Sequence, residues 1–438
     1  MQNWQLIRDG KLDKQTFVQR ARILDLIREW FRKEGFLEVE TPLMVKHPGM
    51  EPHLNLFSSE FISEEGQYSD KRYLHTSPEY SMKKLLGAGF EKIFQISKVF
   101  RNGELGNADF LGCTGGKATA ALQTPDPLQG EPTSPAVSDK SPNYCVQVLG
   151  ENESRHNPEF TMMEWYRGNS GYEAIMDDCE RMIKFVVREM ELDSSLFPFR
   201  PKAEESLLLN SSQEISPLRH EYMTPVEMTK KEWERLTVRE AFQRYADLNL
   251  DELRDEESLR AAVQKKGYEM TTNYTWDDLF FLVLLNEIEP HLGKEKPQFL
   301  IDYPASQAAL AKKKPHSCGV KERVGNRDIH FCEAAGYMGG CEAEWAERFE
   351  LYINGLELCN AFGELVDPVE QRLRLEEEQQ QRKEMGKEVY PIDEKFIEAL
   401  KTMPPSGGNA LGIDRLVMVL LGKKSIEEVL LFPWGDVS

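Results

Sequence analysis

The feature that most constrains this chain is a pair of stretches that look like two halves of one element. They are FRNGELGNADF at 100–110 and RHNPEFTMMEWYRG at 155–168. A strand is predicted over 91–100, and the apolar run at 160–166 is typical of a buried strand. Between Arg101 and His156 lie fifty-four residues (102–155), most of them without a hydrophobic period. Closing a longer loop costs only about 0.6 kcal/mol per doubling of its length, so a hairpin can tolerate this detour.

The segments around these halves predict a mixed fold. Apolar residues recur at spacings of three and four over 14–34, which predicts a helix that stops at Gly35. Apolar and acidic residues alternate over 36–44, which predicts a strand. The stretch 347–365 predicts two strands joined at Asn354 and Gly355, a strong hairpin signal. Neighbouring strands in hairpins with helices outside them indicate an α+β fold with an antiparallel sheet.

The C-terminal region carries a glycine-rich feature. GGNALGIDRLVMVLLG at 407–422 predicts a glycine-rich turn and then a helix that ends at Gly422. Ser425 and Glu428 have the spacing of a capping box, which predicts a helix start.

Composition narrows the class of protein. With 438 residues, 40% of them hydrophobic and 29% charged, the chain is expected to be globular. It has no apolar run of eighteen residues and no leader-like N-terminus, so we expect a cytoplasmic protein without a membrane span. Its seven cysteines are then not expected to form disulfides. The net charge of −20 argues against an extended electrostatic surface for nucleic-acid binding but allows a small basic pocket for phosphate.

Three stretches interrupt the pattern, at about 105–153, 200–232 and 312–341. They are polar or rich in turn formers and have no clear hydrophobic period, so they are predicted to be insertions. The chain is therefore expected to form one domain over 1–438 with three insertions.

Side chains around the two halves are suited to a nucleotide triphosphate. Arg101 and Arg415 can grip phosphates, and Phe160 offers a flat face for a base. Glu357 and Glu364 are carboxylates in an apolar hairpin, which suits a divalent cation. They are seven residues apart, however, so one straight strand would place them on opposite faces. Spacing alone therefore does not make a metal site.

These pieces together resemble one known pattern, the catalytic domain of the lysine branch of class II aminoacyl-tRNA synthetases. GFLEVETPLM resembles motif 1, the dimer-interface strand. The FRN and HNPEFTMMEWY segments resemble motif 2, and GGNALGIDRLVMVLLG resembles motif 3. TSPEY at 76–80 and GLELCNAFGEL at 355–365 are further family signatures. The resemblance implies a homodimer that uses ATP and Mg²⁺.

A narrower resemblance is to the truncated lysyl-tRNA synthetase paralogues that ligate (R)-β-lysine to elongation factor P. KRYLHTSPEYSMKKLL, LTVREAFQRY and GKEKPQFLIDYPASQAAL carry it. The motif 1 helix is predicted to start near residue 14, which leaves no room for an anticodon-binding domain, so tRNA is not the expected partner. The tRNA-charging relatives usually have Gly where this chain has Ala410, and a methyl group there would change which lysine isomer fits. Lysine or (R)-β-lysine and elongation factor P are thus the expected substrates.

The resemblance implies a role for each matching residue. Arg101, His156 and Arg415 would be catalytic, with Phe160 and Arg415 on the two faces of the adenine. ATP would be bound by these four and by Asn102, Gly103, Glu104, Asn157, Glu357, Leu358 and Gly412. The amino acid would be bound by Ser77, Pro78, Glu79, Glu164, Tyr166, Glu364 and Ala410. Glu357 and Glu364 would hold Mg²⁺.

Several alternatives remain open from the sequence. The insert in motif 2 is a tolerated insertion, an element that reaches the protein acceptor, or translated intervening sequence. One alternative function is the charging of tRNA. Another is that the protein is a non-catalytic synthetase-like chain with an interrupted motif 2. The last alternative is opposed by the presence of all six key residues, Arg101, His156, Phe160, Glu357, Glu364 and Arg415.

Overall fold

The computed structural model describes residues 2–63, 69–103, 155–192, 223–271, 273–314, 320–324, 327–331 and 345–436. In these ranges the α-helices are α1 (Asn3–Arg8), α2 (Lys14–Lys33), α3 (Glu79–Gly87), α4 (Tyr172–Leu192), α5 (Pro225–Lys230), α6 (Val238–Ala246), α7 (Glu256–Lys265), α8 (Trp276–Val283), α9 (Pro368–Glu384), α10 (Glu394–Leu400) and α11 (Ile413–Leu421). A short 3-10 helix, Ile426–Val429, follows the capping box predicted at Ser425. The strands are β1 (Leu37–Glu38), β2 (Met44–Val45), β3 (Ser58–Ile62), β4 (Ser69–Leu74), β5 (Lys92–Phe100), β6 (Glu159–Gly168), β7 (Glu234–Thr237), β8 (Gln298–Pro304), β9 (Val320–Val324), β10 (Arg327–Phe331), β11 (Trp345–Ile353), β12 (Leu356–Gly363) and β13 (Ser406–Gly412).

One large sheet organises the chain. Its eight strands lie in the order β1-β5-β6-β13-β12-β11-β8-β7, and all neighbours are antiparallel except the β1–β5 and β7–β8 pairs. Two smaller antiparallel sheets have the strand orders β2-β4-β3 and β10-β9. The predicted α+β class with an antiparallel sheet flanked by helices is confirmed.

Helix α2 lies within one residue of its predicted bounds. The Asp13 side chain accepts a hydrogen bond from the Gln15 backbone N–H at 2.9 Å, which caps the helix start. Its buried face carries Ile23, Leu26, Ile27, Trp30 and Phe31. This face packs into the main core, where Phe31 stacks on Phe94 with ring centroids 4.8 Å apart. A second core of helices α6, α7 and α8 packs against the β8 end of the sheet.

Two predicted elements differ from the structure. Only Leu37–Glu38 and Met44–Val45 of the stretch 36–44 are strands, since the segment between them, which contains Pro42, pairs with no neighbour over most of its length. The glycine-rich stretch predicted as a turn at the start of 407–422 is strand β13, paired on both sides with β6 and β12. Glycines suit this central strand because bulky side chains of neighbouring elements approach its backbone closely. The helix that follows does end at Gly422, which adopts a positive φ of 64°.

The hairpin predicted at Asn354–Gly355 is confirmed and contains an irregularity that matters for the site. Both turn residues have positive φ, 56° and 73°. Glu357 pairs with Tyr352, whereas Cys359 pairs with Leu351, so Leu358 is an extra residue on β12. Such a bulge shifts the side-chain alternation by one residue.

The three predicted insertions are described only in part. The stretch 105–153 lies outside the described residues. Within 200–232, the helix α5 has a capping box between Thr224 and Glu227 and buries Met228, so this part is more regular than predicted. Within 312–341, strands β9 and β10 form a hairpin. The division into one domain with three insertions remains a prediction. No helix in the described ranges is long and apolar enough to cross a membrane.

Candidate active site

The two halves of motif 2 meet as neighbouring antiparallel strands. Val99 on β5 pairs with Phe160 on β6, and the Arg101 backbone N–H donates to the Pro158 carbonyl at 2.9 Å. This register brings the Arg101 guanidinium over the Phe160 ring, with its carbon 5.3 Å from the ring centroid. The sequence halves therefore form one unit, as predicted, although the residues between 103 and 155 are not described.

A cavity of about 380 Å³ opens beside this unit. It lies within the range typical of small-molecule sites. The predicted site residues on its wall are Ser77, Glu79, Arg101, His156, Asn157, Phe160, Glu357, Leu358, Ala410, Gly412 and Arg415. Five separate segments of the chain thus supply one pocket. Glu164, Tyr166 and Glu364 lie behind its wall and reach the lining through the contacts described below.

Arg415 and His156 form the end of the cavity predicted for the nucleotide. Arg415 Nη1 donates to the Glu357 carbonyl at 2.9 Å, and its Nη2 lies 3.4 Å from His156 Nε2. Glu357 Oε2 lies 3.5 Å from Arg415 Nη1. It is Arg101, and not Arg415, that stacks on Phe160. The predicted placement of Phe160 and Arg415 on opposite faces of an adenine stays a prediction.

The other residues predicted to contact ATP have mixed surroundings. The Asn102 backbone bridges to Asn55. Gly103 has a positive φ of 96°, which favours glycine at that position. Asn157 is buried, and its Oδ1 accepts the Trp434 backbone N–H at 2.8 Å, so part of its amide holds the C-terminal segment. Glu104 lies outside the described residues.

The predicted metal pair, Glu357 and Glu364, stays a prediction. Glu357 is the second residue of β12 and Glu364 directly follows the strand, and the bulge between them places both on the same face. The bulge at Leu358 places Glu357 on the same face as Tyr352, and that face of β11 also carries Glu350. Burial and the neighbouring Glu350 carboxylate raise the pKa of Glu357. Glu350 and Glu357, both on the cavity wall, are the carboxylates that the fold brings together.

Glu350 is already held by other side chains: its Oε1 accepts from Arg348 at 2.7 Å, and its Oε2 accepts from Tyr303 at 2.6 Å and from Tyr352 at 2.8 Å. Mg²⁺ commonly takes one or two carboxylates and completes its shell with phosphate oxygens and water. No group of three or more His, Cys, Asp or Glu side chains that could hold a metal occurs in the described ranges. The predicted pair of Glu357 and Glu364 would therefore need phosphate oxygens and water to complete the shell of an ion. Glu350 was missed because only the hairpin register places it on the cavity wall.

Lys83, which the sequence analysis did not select, neutralises two of the carboxylates predicted to hold the amino acid. Its Nζ lies 2.6 Å from Glu79 and 2.5 Å from Glu364, and its side chain is fully buried. Burial alone would lower the pKa of Lys83, but the two carboxylates more than offset it and raise the pKa. The spacing of Glu79 and Lys83, four residues on one helix, is the signal that could have revealed this pair.

Glu164 has hydroxyl partners and no ion pair in the described structure. Ser77 Oγ donates to its Oε1 at 2.6 Å, and the Tyr166 hydroxyl donates to its Oε2 at 2.9 Å. Burial, and to a lesser extent the Glu79 carboxylate, raise the pKa of Glu164 to about 8. A cationic ligand would favour its ionised form. This carboxyl group is therefore the one best placed to gain from a bound ammonium.

Strand β13 forms the floor beside these carboxylates. Ala410 pairs with Glu164 and faces the cavity. A β-carbon at Gly408 would lie 2.2 Å from Glu364 Oε1 and 2.3 Å from the Tyr166 ring. Only glycine at this position leaves room for both side chains. Gly408, like Glu350 and Lys83, is thus a residue that sequence reasoning missed.

Comparison with known proteins places this site in a defined class. The chain belongs to the class II tRNA synthetases of the D, K and N group, whose family model matches residues 4–109 and 151–435. Members of this class are ligases.

The similar curated proteins narrow the comparison. An elongation factor P–(R)-β-lysine ligase of Haemophilus influenzae is 32% identical over 434 residues, covering 99% of this chain and 98% of that protein. The Proteus mirabilis protein of the same name is 32% identical over 422 residues, with coverage of 95% and 94%. A lysine–tRNA ligase of Moorella thermoacetica is 31% identical over 421 residues, covering 96% of this chain and 65% of that protein.

Proposed function

We propose that this ligase activates lysine or (R)-β-lysine as an aminoacyl-adenylate with ATP and Mg²⁺, and transfers it to a lysine side chain of elongation factor P in the cytoplasm. The observation that carries the proposal is the shared cavity. One end presents Arg101, Arg415 and the Glu350–Glu357 pair, and the other end presents Ser77 and Glu79, with Glu164 directly behind. Phosphates and a diamino acid are the ligands that such ends complement.

In the first step, a carboxylate oxygen of the amino acid forms a bond to the α-phosphorus of ATP, and the bond from that phosphorus to pyrophosphate breaks. Arg101 stabilises the negative charge that builds on the α-phosphate. Glu357 and Glu364 would hold Mg²⁺, which would neutralise charge on the phosphates. Positioning and electrostatic stabilisation supply most of the rate in reactions of this kind.

In the second step, the acceptor amine loses a proton to solvent, its nitrogen forms a bond to the adenylate carbonyl carbon, and AMP leaves. The protein supplies no covalent nucleophile in either step. Glu164 and Glu79 hold the ammonium groups of the activated amino acid during both steps.

Transfer to an acceptor tests the finer part of this proposal. Purified protein is incubated with ATP, Mg²⁺ and either α-lysine or (R)-β-lysine, together with elongation factor P or with lysine tRNA. The proposal expects a mass increase on elongation factor P, and the donor isomer that produces it shows which lysine the Ala410 methyl group opposite Glu164 admits. Charging of tRNA without modification of elongation factor P would favour the alternative function, a lysine–tRNA ligase. The 31% identity to a protein of that name supports this alternative.

The raised pKa of Glu164 predicts a pH dependence of lysine binding. With a pKa of about 8, the free carboxyl group is mostly protonated at pH 7. Because a bound ammonium favours the ionised form, binding releases a proton, and the KM for lysine should fall by up to about tenfold per pH unit between pH 6.5 and 8. Amino-acid-dependent pyrophosphate exchange at several pH values measures this. Ser77→Ala removes a hydrogen bond that lowers the pKa, so it should move the inflection to higher pH. A KM that stays flat across this range would contradict the assignment.

Dimerisation is predicted through the motif 1 segment, roughly 14–44, whose apolar stripe includes Phe17, Leu24, Ile27 and Phe31. Ile27 and Phe31 are fully buried within one protomer, so they are not available for an interface. The apolar side chains of this region that are more than 40% exposed are Leu37, Leu43 and Met44. We expect sedimentation at micromolar concentration to show a dimer, and Leu43→Glu with Met44→Lys to shift it toward monomer. A wild-type protein that sediments as a monomer would refute this prediction.

A further inference from the structure

The carboxylate of Asp414 lies at the junction of three motifs. Asp414 is in the first turn of α11, directly before Arg415, and is only 1% exposed. Its Oδ2 accepts the Thr161 backbone N–H at 2.7 Å. Thr161 directly follows Phe160 on β6. The two residues that this hydrogen bond joins, Thr161 and Asp414, are therefore the immediate neighbours of Phe160 and Arg415.

Strand geometry explains why an acidic side chain is needed here. The β13–β6 ladder runs from the Ser406–Gly168 pair to the Gly412–Met162 pair. The next pair would join Ile413 to Thr161, but the chain turns into a helix at Ile413. The Thr161 N–H would then lose its acceptor inside the protein, which costs about 1–3 kcal/mol when the group is buried. Asp414 supplies an oxygen in place of the missing strand carbonyl.

Arg20 of helix α2 fixes the same carboxylate from the other side. Its Nη2 forms an ion pair with Asp414 Oδ1 and donates to the Thr161 hydroxyl at 3.1 Å. The Arg20 side chain is 18% exposed, and that of Asp414 is 2% exposed. A short, largely buried ion pair holds its geometry far better than an exposed one. Helix α2 of motif 1 is thereby tied to β6 of motif 2 and to α11 of motif 3.

We propose that Asp414 is a positioning residue of the nucleotide site, and that Arg20 orients it. Asp414 holds Phe160 and Arg415 at a fixed separation. Because Arg20 binds Asp414 from helix α2, this separation also depends on the position of α2. This inference rests on the proposed binding of ATP but not on the identity of the amino acid or the acceptor. Displacements of about 1 Å at such a site can reduce rates about 100-fold.

The chain offers a matched control for this pair. Arg167, on the same strand β6, makes two bonds of 2.5 and 2.7 Å to Asp178, whose side chain is also about 1% exposed. Asp178 is absent from the cavity wall. Asp414→Asn and Asp178→Asn therefore remove equivalent charges from equivalent buried pairs. They differ in the distance from Phe160.

The experiment measures ATP–Mg²⁺ affinity by calorimetry and the KM values for ATP and for lysine by pyrophosphate exchange. We expect Asp414→Asn to weaken ATP binding about tenfold or more while the KM for lysine changes less than about threefold. Arg20→Met should show the same selectivity with a smaller change, and it keeps the test available if Asp414→Asn does not fold. Asp178→Asn should lower the melting temperature without this selectivity.

Two outcomes would overturn the inference. Wild-type ATP affinity in both Asp414→Asn and Arg20→Met would show that the pair does not position the site. Equal changes in the KM for ATP in Asp414→Asn and Asp178→Asn would show a general effect of stability. A wild-type protein that does not bind ATP would instead refute the proposed function, and this inference with it.

Discussion

Arg101→Ala should lower lysine-dependent pyrophosphate exchange by about 10²–10³-fold, because removing one preorganised charge at a developing anion typically costs about 3–4 kcal/mol of barrier. Arg101 lies on the cavity wall and stacks on Phe160 at 5.3 Å. The loss should appear mainly in kcat, since the charge on the α-phosphate grows in the transition state. The variant should stay folded, because the change removes no core packing.

Arg239→Ala is the matched control for this prediction. The Arg239 guanidinium stacks on Trp345 at 5.2 Å, a contact of the same kind, and Arg239 is not on the wall of this cavity. Its removal should leave exchange within about twofold of the wild type. Near-normal exchange in Arg101→Ala would take this residue out of the mechanism.

Glu364→Ala should abolish lysine activation and also lower stability. Glu364 is 2% exposed and forms an ion pair with Lys83, which is fully buried. After the substitution Lys83 keeps only Glu79, and breaking a buried pair in this way typically costs about 3–5 kcal/mol of unfolding free energy. Urea denaturation measures the stability, and pyrophosphate exchange per folded molecule measures the activity.

A second substitution separates the two effects of Glu364→Ala. Adding Lys83→Met removes the buried charge left behind, so it should recover part of the stability. It should not recover lysine activation, because the pocket still lacks the Glu364 carboxylate. Asp178→Ala, which breaks the buried pair with Arg167, should lose comparable stability and keep its exchange activity. Folded Glu364→Ala protein with near-normal exchange would exclude Glu364 from the site.

Local patterns predicted the elements that depend on neighbours in the sequence. The period of α2 and the Asn354–Gly355 turn set those elements almost to the residue. Pro42 and its neighbours broke the predicted strand at 36–44, and the glycines of β13 form a strand because both of its neighbours pair with it. Whether a glycine-rich stretch turns or pairs is decided by tertiary contacts and not by propensity.

In the site, too, local sequence patterns predicted some residues, whereas others depend on tertiary contacts. The motif resemblance predicted residues on the cavity wall from five separate segments. It did not reveal the one-residue bulge on β12, which shifts the alternation of side chains so that Glu357 and Glu364, seven residues apart, fall on the same face. Glu350, Lys83 and Asp414 were missed as well. Each acquires its role through a partner on another element, or through a register that spacing in the sequence does not encode.

Amino-acid-dependent exchange of pyrophosphate into ATP tests the central claim most directly, because it requires adenylate formation and no acceptor. The assay is run with α-lysine and (R)-β-lysine side by side, and with ornithine and leucine as controls that change the length or remove the second ammonium. We predict exchange with at least one lysine isomer, none with leucine, and loss of exchange in Arg101→Ala. Folded wild-type protein that shows no exchange with either lysine isomer would contradict the claim that this cavity activates lysine.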